Sequence, residues 1–258
     1  MSYPITVQYI PGLPNPPFRH GIGAYEGIAQ HCTDNPNHSG GDTPTKERNY
    51  EVGSYQSAYV HFFIGVENNA PKIIQTAPTS YGAYGAGHTA NTRFLHLELC
   101  MYDDPATFKM AYDAYVWLTA KLLADKNLGV SDKGTVWSHK EIADEWHETT
   151  HSDPIVYFQQ HGISWTQHIT NIQAAYNAIV APPTPSKRFV KIVNVSAAAI
   201  LMDKPDRINA KNIGTIPLNT VVELISPVAG YNNGDVGYYK VIYNGMTGYI
   251  NAKFGVKI

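Results

Sequence analysis

Three side chains in this 258-residue sequence are of types that together do metal chemistry: His31, His139 and Asp153. Two imidazoles and one carboxylate form a donor set that Zn²⁺ accepts, with a fourth position open to water. An open position means Lewis-acid hydrolysis rather than a structural metal knot. His31 closes the apolar run Gly27-Ile28-Ala29-Gln30 and is followed by polar Thr33-Asp34-Asn35, and His139 follows Val136-Trp137-Ser138. Ligands at strand ends are held by rigid sheet backbone. Each residue also has an ordinary reading: a hydrogen-bonded histidine at a strand end, or a turn aspartate before Pro154. With eleven histidines and twenty-one acids in the chain, residue types alone leave both readings open.

The elements that must position these groups alternate between strand and helix. Five early prolines, from Pro4 to Pro17, keep the N-terminal arm extended. Gly27 to His31, Ala58 to Gly65, Lys72 to Gln75 and Phe94 to Cys100 read as strands rich in β-formers. Alternation in the last puts Phe94, His96, Glu98 and Cys100 on one face and Leu95, Leu97 and Leu99 on the other. Asp104 caps a helix with Pro105 at its first position. Phe108, Ala111, Tyr112, Tyr115, Thr119 and Leu122 give that helix a buried stripe. Val130 to Ser138 reads as a strand leading into His139. Ser164 with Gln167 reads as a capping box for a last helix that buries Trp165, Ile169, Ile172, Tyr176 and Ile179. The fold class is therefore α/β, a mixed central sheet flanked by helices.

The texture changes after Ala181-Pro182-Pro183-Thr184-Pro185-Ser186-Lys187, a semi-rigid extended spacer. Residues around 190–193, 220–225, 238–243 and 248–250 read as short strands. Asn232 to Asp235 and Asn244-Gly245 read as turns, and the whole as a small all-β barrel. The formal charge of −2 supplies no basic field for nucleic acid or anionic lipid. Two cysteines, Cys32 and Cys100, make no disulfide framework and are expected as buried free thiols. The N-terminus shows no charged region followed by an apolar one, so no secretory signal is expected, and no apolar run is long enough for membrane insertion.

Four segments in order resemble the zinc-dependent N-acetylmuramoyl-L-alanine amidases of the type-2 amidase and peptidoglycan-recognition-protein superfamily. They are Gly27-Ile28-Ala29-Gln30-His31-Cys32-Thr33, Ser57-Ala58-Tyr59-Val60-His61-Phe62, Phe94-Leu95-His96-Leu97-Glu98-Leu99-Cys100, and Val136-Trp137-Ser138-His139-Lys140 running on to Thr150-His151-Ser152-Asp153-Pro154. The likeness spans roughly residues 20 to 160. It implies that His31, His139 and Asp153 are the Zn²⁺ ligands and that Glu98 is the acid–base residue. It also places His151, where many relatives carry lysine, at the oxyanion. Tyr84-Gly85-Ala86-Gly87-His88 departs from the family's Trp-His pattern, and His88 and Asn91 are expected near substrate. His61 and His96 are expected behind the ligands rather than among them. His20, His38, His147, His161 and His168 are expected at the surface or in packing.

The segment Ile213 to Leu224, with Tyr238 to Ile250, resembles a bacterial SH3-like domain, with Tyr231, Tyr238 and Tyr243 as stacking candidates. The resemblances imply a zinc amidase domain over residues 1–180, a Pro-rich linker over 181–187 and an SH3-like cell-wall-binding domain over 188–258. The partner is bacterial peptidoglycan, with no nucleic acid, no membrane insertion and the oligomeric state open. The expected setting is a phage endolysin or an autolysin, made in the cytoplasm and acting on the wall after holin-type release. A non-catalytic peptidoglycan sensor and a zinc peptidase cutting within the stem peptide are the alternatives.

Overall fold

The candidate ligands hang from a six-stranded mixed sheet. The computed structural model describes residues 2–35, 41–181, 187–228 and 237–258. It divides into two units, Met1–Ala181 and Pro182–Ile258. In chain order the first unit contains β1 (Ile5–Val7), β2 (Gly27–Cys32), α1 (Pro44–Ser54), β3 (Phe62–Glu67), β4 (Ala70–Gln75), α2 (His88–Asn91), β5 (Phe94–Leu99), α3 (Pro105–Asp125), β6 (Val136–Ser138), α4 (His139–Trp146), α5 (Ile155–Gln160) and α6 (Trp165–Val180). The sheet order is β1-β4-β3-β5-β2-β6. β2 pairs in parallel with β5 and β6, and β3 with β5. β3 and β4 form an antiparallel hairpin. Its two turn residues, Asn68 and Asn69, both take positive φ (52° and 58°), as a two-residue hairpin of matching twist demands.

Both faces of this sheet are covered, so its central strands are buried on both sides. Toward α3 it presents Ile28, Phe62, Ile64, Leu95, Leu97, Leu99 and Val136, which join the main core with Tyr115, Leu118 and Leu122. The opposite face carries Ala29, Phe94 and Trp137, packed on Ala86, Ala90 and Ile142. His31, His96 and Glu98 share that second face by strand alternation. The register sets His31 directly beside Glu98, and Ala29 beside His96. β2 and β6 approach so closely that a Cβ at Gly27 would lie 2.4 Å from the Thr135 carbonyl oxygen.

Helix α3 forms as the sequence indicates. The Asp104 side chain accepts from Thr107 N, Pro105 occupies the first turn, and Phe108, Ala111, Tyr112, Tyr115, Thr119 and Leu122 are buried. Elsewhere the structure corrects the reading. Strand β3 starts at Phe62 rather than Ala58, because the preceding backbone is taken by other partners: Tyr59 bridges Tyr84, and Val60 N donates to Glu51 Oε1. The strand before His139 spans only Val136–Ser138, since Ser131 to Thr135 close a turn on themselves. Ser164 caps α6 through Gln167 N alone, while the Gln167 amide donates along the helix to Asn171. The complete capping box is at Ser138 and Glu141, at the start of α4. Ile179 is 38% exposed, and Trp165 and Ile169 are only partly buried; the fully buried stripe of α6 is His168, Ile172 and Tyr176.

The second unit contains β7 (Arg188–Ile192), β8 (Ala198–Met202), β9 (Asn212–Pro217), β10 (Val221–Val228), β11 (Tyr238–Tyr243), β12 (Met246–Asn251) and β13 (Gly255–Lys257). They form one sheet in the order β13-β7-β10-β11-β12-β8-β9, with antiparallel pairing throughout. The Asn244-Gly245 turn joins β11 to β12, both residues at positive φ. Val190, Ile192, Leu201, Ile216, Val241 and Ile250 make its core. Tyr238 is 0% exposed and packs the unit rather than offering a stacking face, because its strand position points inward. Tyr243 is partly buried against the core. Tyr231, the 232–235 turn, His38 and the spacer residues 182–186 lie outside the described residues.

Candidate metal centre

The three donors come from three separate elements. His31 is the penultimate residue of β2, His139 opens α4 directly after the Ser138 capping box, and Asp153 lies in the turn before α5. Their side chains meet. His31 Nδ1 and His139 Nδ1 are 3.0 Å apart. Asp153 Oδ2 is 3.4 Å from His31 Nδ1, and Asp153 Oδ1 is 3.1 Å from His139 Nδ1. Among the described residues this trio alone forms a convergent His, Cys, Asp or Glu cluster.

The backbone around each donor explains the convergence. The Tyr115 hydroxyl from α3 accepts from His31 N at 2.9 Å and donates to His31 O at 3.0 Å. Cys32 N donates to Asp153 Oδ2 at 3.1 Å, which tethers the 150–153 turn to the end of β2. Lys140 N donates to Asp153 O at 3.1 Å, locking the same turn against the start of α4. His139 Nε2 lies 3.1 Å from Thr149 Oγ1, so its second nitrogen has its own partner.

Zn²⁺ suits this set on its chemistry. Three lone-pair donors face one point, and a single proton between them satisfies only one pair. Ligands about 2.0–2.2 Å from a tetrahedral ion stand about 3.3–3.6 Å from each other, close to the separations found. Burial, aided by the neighbouring His139, pushes His31 down to about 4, so it is a neutral imidazole at pH 7. Burial pushes the Asp153 carboxyl up, but hydrogen bonds with His139 and His31 outweigh it and hold Asp153 below the ordinary carboxylate range. A neutral His31 and an ionised Asp153 are in the protonation states a divalent cation requires of its ligands.

Glu98 sits one strand over, in register with His31. Burial, followed by the Asp153 charge, pushes its carboxyl well above the usual value, and its Oε2 is buried without a hydrogen-bond partner. Glu98, His139, Asp153, His151 and Tyr84 line one groove of ≈ 520 Å³. Its far wall is α1, which turns Glu47, Tyr50, Glu51 and Ser54 toward it at helical spacing. His151 is exposed at the rim, and its ring stacks on His139 at 4.7 Å with 2° between planes. A larger cavity of ≈ 1040 Å³ lies between α3 and α6 and is lined by none of these groups.

The other expectations sort by burial and partners. Asn91 Oδ1 accepts from Gly85 N and Ala86 N at 2.8 Å each, so it holds the groove's loop. His88 is exposed at the start of α2. Cys32 and Cys100 are both buried and free. His168 is fully buried between Tyr112 and Gln30. His96 lies directly behind His31, ring nitrogen to ring nitrogen, and His61 accepts from the His96 backbone N behind it. Sequence reasoning missed Tyr115 as the clamp on His31, since in the buried stripe of α3 it looks like the packing aromatics Phe108 and Tyr112.

A family model described as N-acetylmuramoyl-L-alanine amidase matches residues 23–155. The chain is 36% identical over 167 residues to Protein Ami of Listeria monocytogenes, covering 63% of this chain and 17% of that protein. It is 30% identical over 210 residues to a bifunctional autolysin of Staphylococcus aureus, covering 75% of this chain and 16% of the relative. The chain thus spans about a sixth of the length of those curated relatives. Among solved structures, Staphylococcus aureus hydrolase AmiA in complex with its ligand matches with a TM-score of 0.64 and 31% identity, covering 70% of this chain and 89% of that one.

Proposed function

The chain belongs to the N-acetylmuramoyl-L-alanine amidase family, and we propose that it hydrolyses the amide between N-acetylmuramic acid and L-alanine of bacterial peptidoglycan, with Zn²⁺ held by His31, His139 and Asp153. The observation that carries this reading is the meeting of those three donors beside an unpartnered Glu98 carboxyl at one groove. Zn²⁺ at these donors supplies Lewis acidity for an amide carbonyl and for water. Glu98 takes a proton as water adds to the carbonyl carbon, then returns it to the leaving alanine nitrogen as the C–N bond breaks. Burial that favours the protonated carboxyl suits the second half of that cycle. His151, on the rim above His139, donates to the carbonyl oxygen as negative charge builds there. The groove walls align the stem peptide.

Purified sacculi treated with the protein, followed by metal analysis and product mass spectrometry, test this reading. The expected product is an intact stem peptide with a free N-terminal alanine, absent with Glu98→Ala and His31→Ala. Zinc-free wild-type protein that releases nothing would leave the sensor reading, and internal stem-peptide fragments would leave the peptidase reading.

The second unit supports a wall-binding role of the SH3-like kind. Nine of the nineteen Lys and Arg but only four of the twenty-one Asp and Glu lie in residues 187–258. This basic unit is suited to anionic wall surfaces, and it raises the effective concentration of the catalytic unit on its substrate. Binding of the full chain to sacculi should weaken steeply with added salt. The autolysin relative favours a wall-remodelling setting. The endolysin setting, with holin-type release, predicts instead a gene whose product lyses cells only when a membrane pore is supplied.

A further inference from the structure

Behind His31 the sheet carries two imidazoles that the reaction above does not use. His31 Nε2 lies 3.0 Å from His96 Nδ1, and the two rings stack at 5.2 Å. His96 N donates to His61 Nδ1 at 2.9 Å. His61 Nε2 in turn lies 2.8 Å from the Tyr81 carbonyl oxygen. The His61 and His96 rings are parallel to within 7°. None of the three is more than 1% exposed.

These contacts constrain where the protons sit. A backbone N–H only donates, so His61 Nδ1 is bare and its Nε2 carries the proton given to Tyr81 O. A neutral His31 that offers a lone pair at Nδ1 must carry its single proton on Nε2, and whatever faces Nε2 must accept it. The facing atom is His96 Nδ1. We propose that His96 is the positioning residue of the metal centre: it accepts the Nε2 proton of His31, sets that ring's tautomer and angle, and so aims His31 Nδ1 at the point shared with His139 and Asp153. This rests on the metal reading of the site given above. A carboxylate or a carbonyl in the same place only accepts. A neutral imidazole accepts or donates according to its own tautomer, so His96 satisfies His31 in either neutral form. It does so without adding a charge to the sheet interior, where an uncompensated one is costly.

A second observation bears on the same ring. A Cβ at Gly85 would stand 2.6 Å from His96 Nδ1 and 2.9 Å from its Cγ. No alanine at residue 85 leaves the ring where it meets His31. Asn91 holds the Gly85 backbone there at 2.8 Å. Gly85→Ala therefore displaces His96 without replacing any of the three donors or their backbone partners.

The test is zinc affinity of the full-length protein, measured by competition with a chromogenic chelator, for wild type, His96→Leu, His96→Asn and Gly85→Ala. His96→Leu should bind Zn²⁺ about 10–100-fold more weakly, the usual effect of removing a ligand's outer hydrogen-bond partner. His96→Asn, whose amide oxygen stands near the former Nδ1, should recover most of that loss, and Gly85→Ala should fall between them. In ¹⁵N-histidine spectra of the zinc-loaded wild type, His31 should be protonated at Nε2, and in His96→Leu its tautomers should mix. A purely structural role would lower the melting temperature and leave zinc affinity and the His31 tautomer unchanged. Wild-type affinity in His96→Leu, or His96→Asn as weak as His96→Leu, overturns the proposal. Should His96→Leu not fold, Gly85→Ala and His96→Asn carry the test, and Gly85→Ala with unchanged affinity overturns it. A wild-type protein that takes up no Zn²⁺ overturns the metal reading itself, a result distinct from failure of the His96 assignment.

Discussion

Replacing Tyr115 by phenylalanine removes one oxygen atom, and the structure sets what that costs. Pairing of β2 with β6 ends at Gln30, and the Tyr115 hydroxyl takes over the peptide groups of His31, accepting from N at 2.9 Å and donating to O at 3.0 Å. Tyr115 is 0% exposed, so no water replaces it. The variant leaves one buried N–H and one buried C=O without this partner, at about 1–3 kcal/mol each. We expect a loss of about 3 kcal/mol, which for a unit of this size lowers the melting temperature by about 6–12 °C. All four tryptophans lie in residues 117–165, so fluorescence during urea denaturation reports this unit and not the second one. The midpoint should fall with the slope unchanged. A loss below about 1 kcal/mol would show that the His31 peptide is satisfied some other way and that the clamp is incidental.

Four further outcomes follow from the same geometry. Glu98→Gln should keep its zinc and its fold while turnover falls about 10²–10⁴-fold, the range for a general acid–base group; full activity on sacculi would remove Glu98 from the mechanism. Asp153→Ala should abolish stoichiometric zinc uptake by elemental analysis, since two imidazoles alone make a weak site. Gly27→Ala sets a Cβ 2.4 Å from the Thr135 carbonyl oxygen and 2.8 Å from its Cα, both backbone, so β2 and β6 must part. The expected loss is about 3 kcal/mol by urea titration. Burial raises the Glu51 carboxyl to about 8 from 4.5. The folded state thus holds a proton that the unfolded state releases above about pH 4.5, so Glu51 lowers stability as pH rises to about 8. The effect is up to about 4 kcal/mol. Glu51→Gln, which keeps an acceptor for Val60 N, should flatten that decline in melting temperature between pH 5 and 8.

Local chemistry was legible wherever neighbours in the chain decide the outcome. Asp104 with Pro105 starts α3, the 3.6-residue stripe from Phe108 to Leu122 faces the sheet, and Asn244-Gly245 turns β11 into β12. It misled wherever a distant partner intervened. Tyr59 and Val60 have strand-forming side chains, yet Tyr84 and Glu51 hold their backbone instead. Ser164 and Gln167 have the spacing of a capping box, but the Gln167 side chain pairs with Asn171. Tyr238 looked like an exposed aromatic because alternation does not say which face of a strand is inside.

For the site, the sequence by itself determined the donor types, their order, and the strand alternation that puts His96 and Glu98 on one face of their strand. With the family resemblance it also singled out His31, His139 and Asp153 from the other histidines and acids. It left open which strands are neighbours, because a parallel pair is joined by a crossover whose length does not encode register. Tertiary structure alone set β2 against β5 in the register that puts His31 beside Glu98. It also brought the 150–153 turn back to Cys32 N, and it stacked His96 behind His31 across 65 residues of chain. Those contacts come from packing both faces of one sheet, a condition on the whole unit that no local segment carries.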